Sequence, residues 1–513
     1  DHMNMAYYVQ CFEESSDFVL EHAGLGYDYA INQQKGVFVI KCEINYKREI
    51  KQGEKFIISL IGLICKGKKL ILKFNMIDNQ NSISLFLKLK NKFNDVSILE
   101  SVIGGDNKGR YTIIFFNKKE DIKIYEDYSL INKKKKKINN HKKFIEKIYN
   151  EYQLKVKYKE NIPLPIIIGN ICFDICKFSL PKLKYNKNKS LIKIPLAHFV
   201  KPKNLIIIDN IVNQIHIIDI SSNKKQSFKE IDSIVKIIKS INTKKVKRID
   251  NKFNKKFINL TKKSSFLKNV NKIKKEISNG EIFQAVLSQR FENEYKIDPF
   301  NFYRALRSLN PSPYLVYLNF HEYQIICSSP ETMIKVNDGL VTLRPIAGTR
   351  KRGKNKFEDE KYKKDLLKDK KELAEHLMLV DLGRNDVGTI SKIGTVRVTE
   401  KNIIEYYSHV MHIVSNVIGK LKNTYNPVDV LFAGLPAGTV SGAPKIRALQ
   451  ILEDLEDINR EFYAGSVCYF DANGNMDSCI NLRTALIKNN KIYAQSGAGI
   501  VYDSIDEREY EEC

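Results

Sequence analysis

No CxxC pair occurs in this 513-residue chain, whose nine cysteines (positions 11, 42, 65, 172, 176, 327, 468, 479 and 513) are scattered and odd in number. That argues against a disulfide framework and against a zinc site, and a reducing cytoplasmic compartment is expected. Long apolar runs are missing too: Phe56 to Cys65, the longest, has ten residues and is too short to cross a bilayer, so no membrane partner is expected. No secretory signal opens the chain. The Walker A pattern GxxxxGK[ST] is absent, and "GAGIV" at Gly497 to Val501 lacks the glycine spacing of a dinucleotide fold, which disfavours nucleotide binding. No repeat of solenoid period occurs. The chain opens on Asp1 and stops at Cys513 after "DEREYEEC" with no helix-terminating signal, and a fragment is expected.

What is present fits a folded enzyme-sized protein: 43% hydrophobic and 10% aromatic residues, enough for two or three domains. A net charge of +26 raises a nucleic-acid reading. The cations are overwhelmingly lysine and are accompanied by abundant Asn and Ile, a chain-wide pattern that AT-rich coding produces, whereas a nucleic-acid footprint is local. No nucleic acid is therefore expected as partner, and the run Lys133 to Lys137 and the stretch from Asn223 to Lys263 read as solvated loops or linkers. The competing basic-protein reading predicts retention on DNA with a steep salt dependence.

The chain divides by pattern. Residues 1–80 read as a helix followed by strands around a "KQGE" turn. This stretch resembles half of a hotdog-fold acyl-CoA thioesterase, with Asp1, His2, Met3 and Asn4 standing where that family has a D-x-x-GHxN-like loop. The strands that would complete such a fold are not evident after Asn81, so a gene-fragment junction is expected rather than a working thioesterase. Residues 82–222 read as a helix, a short strand, a Gly-Gly turn and a longer strand, followed by strands at Pro165 to Ile171, Leu205 to Asp209 and Gln214 to Ile220. A Lys- and Asn-rich linker at 223–264 leads to residues 265–513, where strands, helices and Gly turns alternate; the class is α+β.

Chemistry-bearing residues concentrate in that last segment. "CSSPE" places Glu331 at a strand end, a general-acid candidate. "KKELAEHLMLVDLGRND" reads as a helix with an apolar face at Leu373, Leu377 and Val380, and it carries Glu372 and Glu375 three residues apart, hence on one face. Glu509 and Glu512 repeat the spacing, and carboxylates so arranged suit Mg²⁺, although ExxE is also common on solvated helices. "LPAGTVSGAPKIRALQ" combines a flexible turn with Lys445 and Arg447 at a helix start, where an anion is expected. "RPIAGTRKRG", Arg344 to Gly353, sets four cations in ten residues around Ala347.

In order, "GEIFQAVLSQRF", "NPSPYLVYL", "SSPE", "RPIAGTRKRG", "ELAEHLMLVDLGRND", "SHVMHIVS", "LPAGTVSGAPK", "YAG", "NLRTA" and "GAGIVYDS" resemble the chorismate-binding enzymes, and among them the component I family of anthranilate synthases, from about Ser82 to Cys513. The resemblance implies an α+β chorismate-binding fold and a lyase that converts chorismate and ammonia to anthranilate and pyruvate in tryptophan biosynthesis. Relatives that add water carry a lysine base where Gln284 stands, and aminodeoxychorismate synthases commonly carry a lysine amine where Ala347 stands. Both replacements favour free ammonia as nucleophile; aminodeoxychorismate synthase component I remains the alternative. The resemblance further implies Mg²⁺ on Glu372, Glu375, Glu509 and Glu512, with helix support for the last two expected to be incomplete at a truncated end. It implies substrate contacts from Gly348, Thr349, Thr439, Tyr463, Arg483, Gly497 and Gly499. Glu331 would protonate the departing ring hydroxyl and His412 would assist near it, although on the residues alone a histidine inside "VMHIV" reads as structural. Glu100 and Ser101, with Asn310, Pro311, Ser312 and Tyr314, resemble an inhibitory tryptophan site. No segment resembles a glutamine amidotransferase, so a separate glutamine-hydrolysing subunit is the expected partner.

Overall fold

Runs of isoleucine and phenylalanine decide the architecture, because β-branched and aromatic side chains fit a pleated, covered surface. Pro165–Ile171 is buried at every position, as a strand covered on both faces must be, and Ala197–Asp209 is nearly so. The structure, a computed structural model, describes residues 56–66, 69–78, 82–101, 109–152, 162–180, 182–183, 189–211, 214–220, 224–239, 256–407 and 410–513. The expected helix near the start, the loop residues Asp1 to Asn4, the "KQGE" turn and the Gly-Gly turn lie outside the described residues. Phe56–Lys66 and Lys69–Asp78 form an antiparallel two-stranded sheet of their own.

Every other pairing among the described residues is also antiparallel, and the strands form one continuous ladder. Gln284–Glu294 lies against Lys491–Ile500, which leads through Thr484–Lys488, Gln324–Ser329 and Tyr314–Asn319 to Ser97–Glu100. From there the ladder passes through Tyr111–Ile124, Ala197–Asp209 and Pro165–Ile171 and returns to Ser466–Asp471 and Met476–Ile480. It ends through Lys335–Asn337 and Leu340–Leu343 on Val410–Lys420, flanked by Ile346–Lys351 and Arg397–Tyr406. The strands of residues 97–219 are thus intercalated between strands that follow them by hundreds of residues.

Three expectations change. Lys134–Lys137 is not a loop but an exposed strand beside Tyr128–Ile131, its lysines all in solvent. Within the expected linker, Lys224–Lys239 forms a helix, because Ile234 and Ile238, four apart, are buried on one face. The helix Lys370–Ile390 buries His376, Leu379, Val380, Gly383, Val387 and Ile390, while Leu377 is exposed. Of the expected stripe, Val380 is buried and Leu373 packs against the Leu366, Met411 and Ile413 cluster, so Leu377 alone departs from it.

Two guanidinium groups lie in the interior. Arg290 donates from Nη1 to Glu461 Oε2 at 2.5 Å, from Nη2 to the carbonyls of Asn459 and Arg460 at 2.8 Å each, and to Gln495 Oε1. Glu461 in turn accepts from the Ile192 and Lys193 amides at 3.0 Å. Removing one partner of such a pair leaves a buried charge, which costs more than the pair contributes. Arg290→Met is expected to lower unfolding free energy by about 3–5 kcal/mol, read from the urea midpoint. A loss within about 1 kcal/mol would mean Glu461 is held by its backbone donors alone.

Candidate active site

The first strand of the site is Gln284–Glu294, set against Lys491–Ile500 with Val286 opposite Gly499 and Ser288 opposite Gly497. Glycine leaves room for neighbouring side chains at both positions. A Cβ at Gly499 would stand 2.5 Å from Gln284 Nε2, and one at Gly497 would stand 2.9 Å from the Tyr463 hydroxyl. The Gln284 amide therefore reaches past Gly499 and donates to Glu375 Oε1 at 3.1 Å.

Glu375 belongs to the helix Lys370–Ile390, whose first turn is capped by Asp369 accepting from the Lys371 and Glu372 amides. Burial raises the Glu375 pKa, and the charges of Glu372 and Glu509 push the same way against the Gln284 bond. Burial also raises Glu512, helped by Glu509 and Glu375. Both predicted pairs thus act on one field, brought together by the packing of Asp506–Glu512 on the helix Lys263–Ser278, where the Phe266 and Tyr510 rings meet at 5.6 Å. They do not converge fully: among the described residues no three acidic, histidine or cysteine side chains form a cluster able to hold a metal ion. Glu372 is drawn aside by Arg350, which donates to its Oε1 at 3.1 Å and to Asp365 and Asp369 at 2.7 Å each.

Gly348, at φ 65°, adopts the left-handed region that favours glycine, and a Cβ there would lie 3.2 Å from Glu372 Oε2. Its carbonyl and the Thr349 hydroxyl each lie 3.1 Å from His412 Nδ1. A carbonyl only accepts, so Nδ1 carries the ring proton and Nε2 is the basic nitrogen. Burial lowers the His412 pKa and nearby Arg483 adds to the drop, so the ring is neutral at pH 7.

Glu331 is 6% exposed, and burial pushes its pKa up to about 8. Thr439, in the turn Gly438–Val440, is close enough to oppose that rise, yet its Oγ1 reaches no partner with hydrogen-bond geometry. Arg483 faces solvent while desolvation lowers its pKa. The site thus offers a carboxylic acid protonated at neutral pH, a neutral imidazole, a guanidinium and an acidic group that suits a hard cation.

Other expectations fare differently. Lys445 and Arg447 are not free for an anion: Lys445 holds both Asp386 oxygens at 2.6 and 2.7 Å, and Arg447 holds Glu281 at 2.7 Å. The three arginines of "RPIAGTRKRG" are clamps, with Arg344 on Glu405 and Arg352 on Asp359 besides Arg350. The two inhibitor-like motifs do meet, with Leu315 opposite Glu100 across adjacent strands. Glu100 accepts from Tyr303 and Arg307 at 2.5 Å each, Asn310 and Ser312 are linked through Ser328, Pro311 lies between them, and Tyr314 bonds Thr332 and Asp477. Ser101 Oγ is buried without a partner. Arg350 and Tyr407 escaped the sequence reading; the cation cluster pointed toward the first, and only the fold places the second.

Residues 101–513 match the family described as chorismate binding enzyme, and the chain belongs to that family. Within it, the sequence is similar to anthranilate synthase component 1 of Acetivibrio thermocellus, 42% identical over 459 residues, 85% of this chain and 91% of that one. The corresponding protein of Aquifex aeolicus (strain VF5) is 41% identical over 459 residues, 85% and 90% of the two chains. The crystal structure of anthranilate synthase component I from Streptococcus pneumoniae TIGR4 matches with TM-score 0.70 at 35% identity, covering 80% of this chain and 92% of that one. MenF, the menaquinone-specific isochorismate synthase from Escherichia coli, shares the fold at TM-score 0.63 and 17% identity, covering 85% and 89%. Residues 1–92 match the thioesterase-like superfamily, in line with the expected hotdog-like segment. The α+β chorismate-binding fold is therefore the one present, and no described helix is long and apolar enough to cross a membrane.

The Glu331 acid form is present below its raised pKa and lost above it. The rate of chorismate consumption is expected to fall as pH rises through about 8, and Glu331→Gln to lose about 10²–10⁴-fold in kcat together with that limb of the profile. A limb that survives in Glu331→Gln would belong to another group.

Proposed function

We propose that this chain is the ammonia-using component of an anthranilate synthase, converting chorismate and ammonia to anthranilate, pyruvate and water. The observation that carries the reading is Gln284. It stands where water-adding relatives have a lysine base, and its amide nitrogen is already donated to Glu375. Ala347, opposite Ile413 in the strand beside His412, supplies no amine either. The nucleophile then has to come from outside the chain.

Glu331, protonated at neutral pH, donates its proton to the ring hydroxyl as that C–O bond breaks and the nitrogen–carbon bond forms, and water leaves. The second step removes the ring proton and breaks the enolpyruvyl C–O bond; the departing enolpyruvate gains a proton at its methylene and becomes pyruvate, leaving an aromatic ring. His412 faces this step with Nε2 available, since Nδ1 is fixed by Gly348. Arg483 and the Thr439 hydroxyl, with backbone at Gly348, Gly497 and Gly499, hold the substrate's carboxylates. Glu372, Glu375, Glu509 and Glu512 would hold Mg²⁺: the donor set is all carboxylate, and their mutual repulsion is what a divalent cation relieves. The ion would neutralise a substrate carboxylate. Ammonia would come from a glutamine-hydrolysing partner subunit, the setting is tryptophan biosynthesis in the cytoplasm, and Glu100, Ser101, Asn310, Pro311, Ser312 and Tyr314 would bind tryptophan as inhibitor.

With chorismate, ammonium and Mg²⁺, the chain is expected to form fluorescent anthranilate, abolished by chelator, and glutamine should not replace ammonium without a partner. Gln284→Lys should lose most of this product, since the ammonium would pair with Glu375. Chorismate consumed without that fluorescence would point to 4-amino-4-deoxychorismate instead.

Tryptophan is expected to inhibit, and Ser101→Phe, which replaces a buried unpartnered hydroxyl with a bulky ring, should raise the inhibitory concentration at least about tenfold, the equivalent of 1.4 kcal/mol. Uninhibited wild-type enzyme would remove the regulatory assignment without touching the catalytic one.

A further inference from the structure

Tyr407 closes the hairpin between Arg397–Tyr406 and Val410–Lys420, its amide donating to the Val410 carbonyl at 2.8 Å. Its ring meets the His412 imidazole edge-on at 5.4 Å between centroids and 67° between planes. Its hydroxyl donates to Glu405 Oε2 at 3.0 Å, and Glu405 Oε1 accepts from Arg344 Nη2 at 2.5 Å. Arg352 Nη1 donates to the Tyr407 carbonyl at 2.7 Å. Glu405 is also the residue directly opposite His412 in the ladder. Two arginines of "RPIAGTRKRG" therefore converge on one tyrosine, and that tyrosine lies against the imidazole.

The fields around Tyr407 place it deeper in the site than its turn position implies. Burial raises its pKa, the Glu405 and Glu331 carboxylates push the same way, and Arg344 opposes; Arg483 in turn feels the Tyr407 hydroxyl. The ring thus lies against His412 within the electrostatic reach of Glu331 and Arg483, while its own hydroxyl is held by Glu405.

Building on the catalytic role given above to His412, we propose that Tyr407, anchored through Glu405 by Arg344, is the positioning residue that fixes the His412 imidazole so that Nε2 faces the reacting ring. Gly348 and Thr349 hold the imidazole at one nitrogen only, which leaves rotation about that contact open. An aromatic edge across the ring removes that freedom. The hydroxyl bond to Glu405 keeps the edge in place, and the Arg344 clamp keeps Glu405 from turning to His412 itself. Tyr407 touches no bond that forms or breaks, so its loss acts on turnover rather than on substrate capture.

Tyr407→Leu removes the edge and the anchor, and Tyr407→Phe removes the anchor alone. Both are measured by chorismate consumption and by NMR titration of the His412 ring in the full chain. The groups facing that ring are Arg483, Glu405 and Tyr407, with burial the dominant influence. For Tyr407→Leu the expected result is kcat down about 30-fold with KM within about twofold, and a His412 pKa shifted up by at least about half a unit as water enters. For Tyr407→Phe it is a drop of about three- to tenfold. Wild-type turnover with both variants within twofold in kcat and unchanged His412 resonances would overturn the proposal; so would a fall in kcat with His412 unmoved. If the wild type consumes no chorismate, the functional reading fails, and the His412 titration still decides whether Tyr407 positions the ring.

Discussion

The site depends on two buried guanidinium groups more than on any residue that would touch substrate. Arg460 donates to both oxygens of Glu456 at 2.8 Å and to the carbonyls of Val440 and Val286. Those acceptors belong to the end of the helix Lys445–Leu455, the turn that carries Thr439, and the strand that carries Gln284. Arg290, on that same strand, ties it to Glu461, and Glu461 reaches into residues 190–193. A neutral side chain cannot satisfy several carbonyls and a carboxylate at once, whereas a fixed fork of five donors can. Their desolvation is offset by complete pairing, and what the pairing secures is the mutual position of four elements distant in sequence.

With the frame fixed, the chemistry follows from three carboxylate environments. Glu331 has no cation beside it and is kept neutral by burial. Glu375 and Glu512 are raised by burial together with their acidic neighbours, a strain that a divalent cation relieves and a proton relieves less selectively. Glu405 and Glu461 accept from arginines and other donors. In the proposed reading, one residue type would thus serve as acid, cation ligand and anchor according to its neighbours.

Much of this was legible in the sequence, and the limits have physical causes. Pro165–Ile171 and the existence of the helix carrying Glu372 and Glu375 read directly, because a doubly covered strand leaves a short continuous apolar run and a half-buried helix a recurring apolar pattern. The Lys224–Lys239 helix was hidden by lysines on its solvent face, which made an amphipathic pattern look like low complexity. Ion-pair partners were illegible in principle: nothing local says that Lys445 is held by Asp386, 59 residues away, rather than by an anion. Tyr407 belongs to the same class, since its meaning comes from a hairpin that folds it back on His412.

The pairing of the basic turn bears on how a dianion would be recognised. Arg344, Arg350 and Arg352 all lie in one decapeptide and all face carboxylates of the same chain. A turn that reads as an anion trap is therefore an internal brace, and the net charge of +26 says little about the site. Among the described residues Arg483 is different: exposed yet with its pKa lowered by desolvation, and with no carboxylate bonded to it. In the proposed reading, attraction for an anionic substrate would rest on one guanidinium, backbone amides and the cation that the acidic residues would hold. Arg350 links these parts. It keeps Glu372 turned toward Asp365 and Asp369, and releasing Glu372 would cost it one of three carboxylate partners. In the proposed reading, a cation bound by the acidic set would compete with Arg350 for Glu372, which lies beside Gly348, whose carbonyl accepts from His412 Nδ1.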